Sequence, residues 1–374
     1  MNIRRQSLHP TPFQLPLLMT MLGVLHLYRA RCDFQTQRSV EMLLKVSHNG
    51  VSKAALSIGP GGDFTSLPQA IIAMRSSRGP RAHVVHAWGP AELIAAAASP
   101  SSRIIFSPQS PVNRNWLRWI NLVLGRRRVE IVCPTATLRN LFIERGIAGD
   151  ECHVIHPGVD LDRLRTPDAD LRAELGLAES DLVLLAPGES TIDAAHRSSI
   201  WSTAILSFLD ERYRLLTWGR GPCVGSLSRF TRSGRHDHIL VQAEERLQRA
   251  VDFEQIIPAA NAAIVSAEAL ALILPLFICM AAGLPIVAAK TSTSDEFLKD
   301  NVTALIEPSS NPRRLAQRML DLQSDPSLKR NIAESARAEA RERFSAARFI
   351  ENWQKFYGRL GSDDSRAAAR ASAS

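Results

Sequence analysis

Short apolar runs of strand length alternate with helical segments along most of the chain, and the alternation restarts about halfway. In the first half, VLHLY (24–28), AALSIG (54–59), HVVHAWG (83–89), RIIFSP (103–108) and VEIVCPT (129–135) read as strands. A stretch near Arg38 to Val46, then SLPQAIIAMRSSR (66–78), AELIAAAA (91–98), WLRWINLVL (116–124) and ATLRNLFIERG (136–146), carry helical spacing between them. Strands separated by helices of this length must return by crossovers, and crossovers build parallel sheets. After Pro167 the pattern begins again with DLVLLAPG (181–188), YRLLTWGRGP (213–222), HILVQ (238–242), AAIVSA (262–267) and LPIVAA (284–289).

The expected class is therefore α/β, with two Rossmann-like, doubly wound parallel-sheet domains. A flexible basic lead occupies 1–19. The first domain runs over 20–165 and the second over 166–345. A crossover helix covers 346–360, and the low-complexity tail 361–374 is expected to be disordered. A chain of 374 residues that is 45% hydrophobic can fill two such cores.

Charge is uneven. Residues 1–150 hold 18 Lys/Arg against 7 Asp/Glu, whereas 151–374 hold 27 against 30. The basic half invites an anionic partner, or it is simply a solvated surface. No interleaved basic and aromatic module points to nucleic acid. The five cysteines are widely spaced and form no CxxC, which argues against a disulfide framework or a simple zinc site and fits a reducing, cytoplasmic compartment. The apolar stretch 14–28 follows Arg4 and Arg5 like a signal peptide. It is too short to span a bilayer and runs into Arg29, Arg31 and Asp33, so a buried first strand explains it better.

Several phrases together resemble the family-4 retaining glycosyltransferases, which share the GT-B architecture. HVIHPGVDLDRL (153–164), preceded by PTATLRNLFIERGI (134–147), resembles the interdomain "v-i-x-N-G-V-D" segment. LLTWGRGP (215–222) resembles "l-x-i-v-G-x-G-P", and MAAGLPIVA (280–288) resembles "E-A-M-A-x-G-x-P-V-V-A". FLKDNVTALIEP (297–308) and VVHAWG (84–89) resemble two further phrases, all in the family's order over roughly 20–358. The resemblance implies transfer of a sugar from a nucleotide-sugar co-substrate to a glycan or lipid-linked acceptor, as in cell-envelope polysaccharide synthesis. It implies retention of configuration and no metal cofactor. Gly219, Arg220 and Gly221 would admit and bind the donor phosphates together with His196 and Arg197. His86 would contact the reacting sugar or the acceptor, unless it is a hydrogen-bonded strand-end histidine. Glu296, expected to open a helix, would touch the donor.

The departures are as informative. The two donor-binding glutamates of the family correspond here to Leu270 and Ile278, within the apolar run ALALILPLFICM (269–280). Glu268 lies two residues out of register, about 200° around a helix. Glu189 stands where the family places a phosphate-binding arginine. Three readings remain open: a transferase with a weakened donor site, a non-catalytic scaffold that has lost it, or an enzyme on the same fold with an unrelated donor. The run at Arg126, Arg127 and Arg128, beside WLRWINLVL, reads either as a solvated face or as a peripheral contact with anionic membrane.

Overall fold

The computed structural model describes residues 22–45, 51–76, 82–100, 103–164, 170–266 and 273–372. The basic lead 1–19 lies outside them, and so do residues 165–169, where the two expected domains join. The first sheet is built from β1 (Leu22–Arg29), β2 (Val51–Ile58), β3 (Val84–Ala87), β4 (Arg103–Phe106), β5 (Val129–Cys133) and β6 (Cys152–Val154). Its order is β2-β1-β3-β4-β5-β6. The helices in this half of the chain are α1 (Phe34–Lys45), α2 (Leu67–Arg75), α3 (Pro90–Ala97), α4 (Arg114–Leu124) and α5 (Ala136–Glu144).

The second sheet contains β7 (Leu182–Ala186), β8 (Tyr213–Thr217), β9 (Leu240–Gln242), β10 (Ala262–Val265), β11 (Ile286–Ala289) and β12 (Leu305–Glu307). Its order, β12-β11-β10-β7-β8-β9, is that of a doubly wound nucleotide-binding sheet with the switch point between β7 and β10. Around it lie α6 (Leu171–Glu174), α7 (His196–Leu209), α8 (Val224–Ser233), α9 (Ala243–Leu247), α10 (Phe253–Ile256), α11 (Ile273–Ala282) and α12 (Ser292–Phe297). The chain closes with α13 (Pro312–Ser324), α14 (Pro326–Arg343) and α15 (Ala346–Ser372). Both sheets are parallel, as the alternation requires.

Two compact units emerge. One is built from the chain through Cys32, from Leu44 to Ser107 and from Asn113 to Glu130. The other comprises Asp33–Leu43, Pro108–Val112 and Ile131–Ser374. Within the second, Arg38 is a buried anchor. Its guanidinium meets Asp252 at 3.0 Å, Glu41 at 3.2 Å and Glu254 at 3.2 Å, and lies 5.1 Å over the Phe34 ring. A charge taken out of water needs this many partners to be tolerated.

The tail differs from expectation. Where 361–374 reads as disordered, α15 continues to Ser372. Its SRAAARAS run is rich in alanine and arginine, both strong helix formers, which outweighs Gly361. Upstream, Phe349, Trp353, Phe356, Tyr357 and Leu360 are buried, with Phe356 edge-on to His153 at 5.1 Å.

Gly158 marks the tightest backbone approach in this region. Val159 N–H donates to the Phe344 carbonyl at 2.7 Å, and Ala346 N–H donates to the Val159 carbonyl at 2.9 Å. A Cβ on Gly158 would lie 2.7 Å from Phe349 Cβ and 2.9 Å from Ala346 Cα. Gly158→Ala is therefore expected to cost about 1–3 kcal/mol by overpacking and to lower the thermal midpoint by several degrees in a calorimetric scan. An unchanged midpoint would show that the start of α15 yields freely.

Candidate functional site

Open parallel sheets hold ligands outside the carboxyl ends of their strands at the switch point. In the second sheet that point is flanked by the segment after β7. Apolar LVLLA ends at Pro187 and Gly188, whose φ of +81° turns the chain sharply into Glu189 and Ser190. His196, the first residue of α7, braces this loop from below. Its Nε2 lies 3.1 Å from the Pro187 carbonyl and its Nδ1 lies 3.2 Å from Ser190 Oγ. A carbonyl can only accept, so Nε2 carries the proton and Nδ1 accepts from the serine hydroxyl. Burial lowers the pKa to about 4, so the ring is neutral at neutral pH. The expected phosphate-binding role of His196 gives way to a structural one.

The glycine turn after β8 is fitted to the same loop. Gly219 and Gly221 adopt φ of +89° and +109°, conformations that side chains rarely take. Ser190 N–H donates to the Arg220 carbonyl at 2.6 Å, and Cys223 N–H donates to the Ser190 carbonyl at 2.8 Å. A Cβ on Gly221 would lie 2.6 Å from the Ser190 carbonyl oxygen. The room that glycine leaves there is filled by the protein's own backbone. Arg220 is likewise engaged: its Nε lies 2.6 Å from Glu244 Oε1 and its guanidinium 4.7 Å over Trp218. Glu244 Oε1 also accepts from Val251 N–H at 3.1 Å. Burial pushes the Glu189 carboxyl up and Asp33 adds to the rise, while Arg220 opposes it.

Arg197 is exposed on α7, and its guanidinium lies 5.5 Å over the Phe230 ring of α8. The N-cap residue of α7, Ala195, has φ of +50°, and its carbonyl accepts from Ser266 Oγ at 2.9 Å. Ser266 Oγ in turn lies 2.7 Å from Ser199 Oγ. These serines, absent from the sequence reading, carry no motif that would have flagged them.

Ile278 is buried in α11, as is every residue from Ile273 to Ala281. Glu268 and Leu270 lie outside the described residues. The α11 amide of Leu274 donates to Gln35 Oε1 at 3.2 Å, and Gln35 Nε2 donates to Gln109 Oε1 at 2.6 Å. Glu296 lies near the end of α12, not at its start. Its carboxylate accepts from Ala136 N–H at 2.7 Å, and from Thr137 N–H and Oγ1 at 3.0 Å each. In place of a donor contact it caps the N-terminus of α5, where two amides and a helix dipole favour an anion.

In the first sheet His86 is fully buried and its Nε2 lies 2.8 Å from Ser107 Oγ. The ring stacks on Trp88 at 4.3 Å and tilts against His26 at 4.9 Å. Trp88 Nε1–H donates to His26 Nδ1 at 3.2 Å. Burial lowers both histidines, His26 to about 3 and His86 well below its usual value, with each also feeling a neighbouring basic group. Among the alternatives for His86, the strand-end core histidine fits its surroundings, because an enclosed ring cannot touch a substrate. A buried acid escaped the sequence reading: Glu92, 1% exposed in the first turn of α3, lies 3.5 Å from Arg29 Nε. The phrase W-G-P-A-E, an acid in a helix's first turn right after a strand, is the signal that could have found it.

Among the described residues no group of three or more His, Cys, Asp or Glu side chains could hold a metal ion. Residues 46–163 match the family described as Glycosyltransferase Family 4, and residues 260–339 match Glycosyl transferases group 1. No curated protein matches the chain in sequence. The structure is similar to HepE of Anabaena bound to UDP and glucose, with a TM-score of 0.71 and 15% identity over 91% of this chain and 100% of that one. It is similar to sucrose-phosphate synthase of Thermosynechococcus elongatus, with a TM-score of 0.69 and 14% identity over 91% and 100%. A glycosyltransferase of Rickettsia africae gives 0.68 and 15% over 91% and 99%. Two parallel six-stranded sheets in this arrangement define the GT-B class. With more than half its length matched by the two family descriptions, the chain belongs to the family-4-like glycosyltransferases.

The buried His196 makes a pH prediction. Its folded pKa of about 4 lies below the unfolded value near 6.5, so the unfolded chain binds the extra proton in that window. Stability is full above pH 6.5 and is lost as pH falls toward 4, by on the order of 3 kcal/mol. Chemical denaturation between those limits should show the loss, and His196→Asn should flatten that part of the profile. An unchanged slope in the variant would remove His196 as its source.

Proposed function

We propose that the chain transfers a sugar, with retention, from a nucleotide-sugar donor to an acceptor hydroxyl, and that it binds a free nucleoside diphosphate weakly. The observation that carries the reading is the β7–β10 switch point with the glycine turn beside it, on a family-4-like scaffold. The similar HepE structures hold UDP and UDP-glucose, which makes UDP the natural probe. In this reading Arg220 and the amides at the start of α7 face the leaving diphosphate, and the protein acts by positioning and electrostatics. The donor needs no resident metal. Weak binding follows from Ile278, an apolar wall where the ribose hydroxyls would need an acceptor, at about 1–3 kcal/mol for each group left unpaired.

Isothermal titration with UDP is expected to give a dissociation constant no tighter than about millimolar, near −4 kcal/mol. Ile278→Glu, checked for folding by circular dichroism, should tighten it. Micromolar binding by the unmodified chain, abolished by Arg220→Ala, would overturn the weakened-site reading and leave an ordinary transferase.

The acceptor in this proposal is a glycan or lipid-linked molecule at the surface of an anionic membrane, reached peripherally from the cytoplasm. No helix among the described residues is long and apolar enough to cross a bilayer. Support comes from α4, on which Trp119 and Leu122 are 53% and 41% exposed beside the exposed Arg118 and Arg126. Of the three consecutive arginines, the middle one turns inward. Arg127 Nη1 donates to the Ala97 and Ser99 carbonyls at 3.0 and 2.8 Å, closing the end of α3. Flotation with phosphatidylglycerol-rich vesicles should show salt-sensitive binding that Trp119→Ser with Leu122→Ser weakens. Absence of binding at low ionic strength would count decisively against this contact.

A further inference from the structure

The outer side of α7 carries a second exposed apolar face that the transfer reaction does not use. Arg197, Trp201 and Phe208 fall within about 40° of one another around the helix. Trp201 is 47% exposed and Phe208 81%, and the adjoining Leu209 is 68% exposed, while Ser199, Thr203 and Leu206 are buried on the opposite side. The face continues onto α8 and the segment that follows it. Phe230 lies 5.9 Å from Trp201, and His236 lies 6.4 Å from Trp201 and 6.0 Å from Phe208.

Charge on the two helices is positive, and the acids nearest in sequence, Asp193, Asp210, Glu211 and Asp237, lie beyond their ends. Neither α7 nor α8 contains an aspartate or glutamate. Arg229 and Arg232 on α8 are exposed, as is Arg235 just beyond it, and Arg197 lies over the Phe230 ring. Aromatic and aliphatic groups of this size are rarely left in water without a purpose. Interleaved with arginines on helices that carry no acid, they match an interfacial surface: rings and Leu209 enter the acyl boundary while guanidinium groups hold anionic headgroups. A second copy of the same face would set arginine against arginine, which disfavours self-association through it.

We propose that the α7–α8 face is a docking surface for an anionic lipid bilayer, carried by the second unit independently of α4. It rests on its own residues and stands whether or not donor binding is weak. The test uses the full chain and flotation with phosphatidylglycerol-rich or pure phosphatidylcholine vesicles. The exposed pair Phe208→Ser with Leu209→Ser, whose side chains are not in the core, should lower partitioning onto the anionic vesicles by about tenfold or more. Reversal of Arg229, Arg232 and Arg235 to Glu should abolish the salt-sensitive part. Brominated acyl chains should quench the unmodified chain more than Trp201→Phe, placing that ring in the bilayer.

The proposal is overturned if the Phe208/Leu209 pair floats like the unmodified chain while the Trp119/Leu122 pair does not. It is overturned equally if neutral and anionic vesicles bind alike. Analytical ultracentrifugation supplies the remaining outcome: an oligomer that the Phe208/Leu209 pair converts to monomer would make this face a protein interface.

Discussion

What the carboxyl edge of the second sheet can hold is set by one backbone packing, Ser190 against the Gly219–Gly221 turn. The two loops leave adjacent strands, and paired main-chain bonds through Ser190 join them. Only a residue without a Cβ fits at Gly221, because the Ser190 backbone already occupies that space. His196 then fixes the loop from inside, one ring nitrogen to Pro187 and the other to Ser190. A turn that can approach a phosphate closely in other members of the class is here first a joint within the protein.

The same internal satisfaction recurs wherever an anion would be welcome. Arg220 has Glu244, the start of α5 has Glu296, and the Leu274 amide of α11 has Gln35. Each pairing satisfies a polar group within the protein, since an unpaired buried donor costs about 1–3 kcal/mol. In the proposed reading, an incoming diphosphate must displace a partner or find donors that none of these groups holds. Ile278, at the position where the resemblance implies a ribose-binding carboxylate, acts in the same direction in that reading.

Sequence reasoning reached the architecture because it depends on period and order. Apolar strands such as DLVLLAPG and helices such as ATLRNLFIERG announce themselves locally, and the parallel sheets follow from their alternation. β6 and β12 passed unread, since three residues each, inside HVIHPGVDLDRL and FLKDNVTALIEP, are too few for a pattern. Site residues are different. That Arg220 pairs with Glu244, or that Glu296 closes a helix 160 positions away, depends on side chains meeting across large separations, which no local spacing encodes. His86 shows the limit most plainly: a histidine near a strand end, three residues before a glycine, has the same neighbours in sequence whether it lines an open site or lies sealed against Ser107, His26 and Trp88.

Histidine burial links stability to chemistry. His26, His86 and His196 are enclosed and held neutral, so none supplies a cation at neutral pH. In the proposed transfer, positive charge for a departing phosphate comes from arginine, whose guanidinium keeps its charge when partly buried. Arg220 is the arginine placed on the glycine turn, and Glu244 tempers it at 2.6 Å. A carboxylate so close lowers the net attraction for an anion yet fixes the guanidinium against Trp218, holding its remaining N–H donors in one orientation. The arrangement trades strength for geometry. That suits a site whose task is to orient a leaving group more than to retain it, because interactions made equally with ground state and transition state do not speed the chemical step.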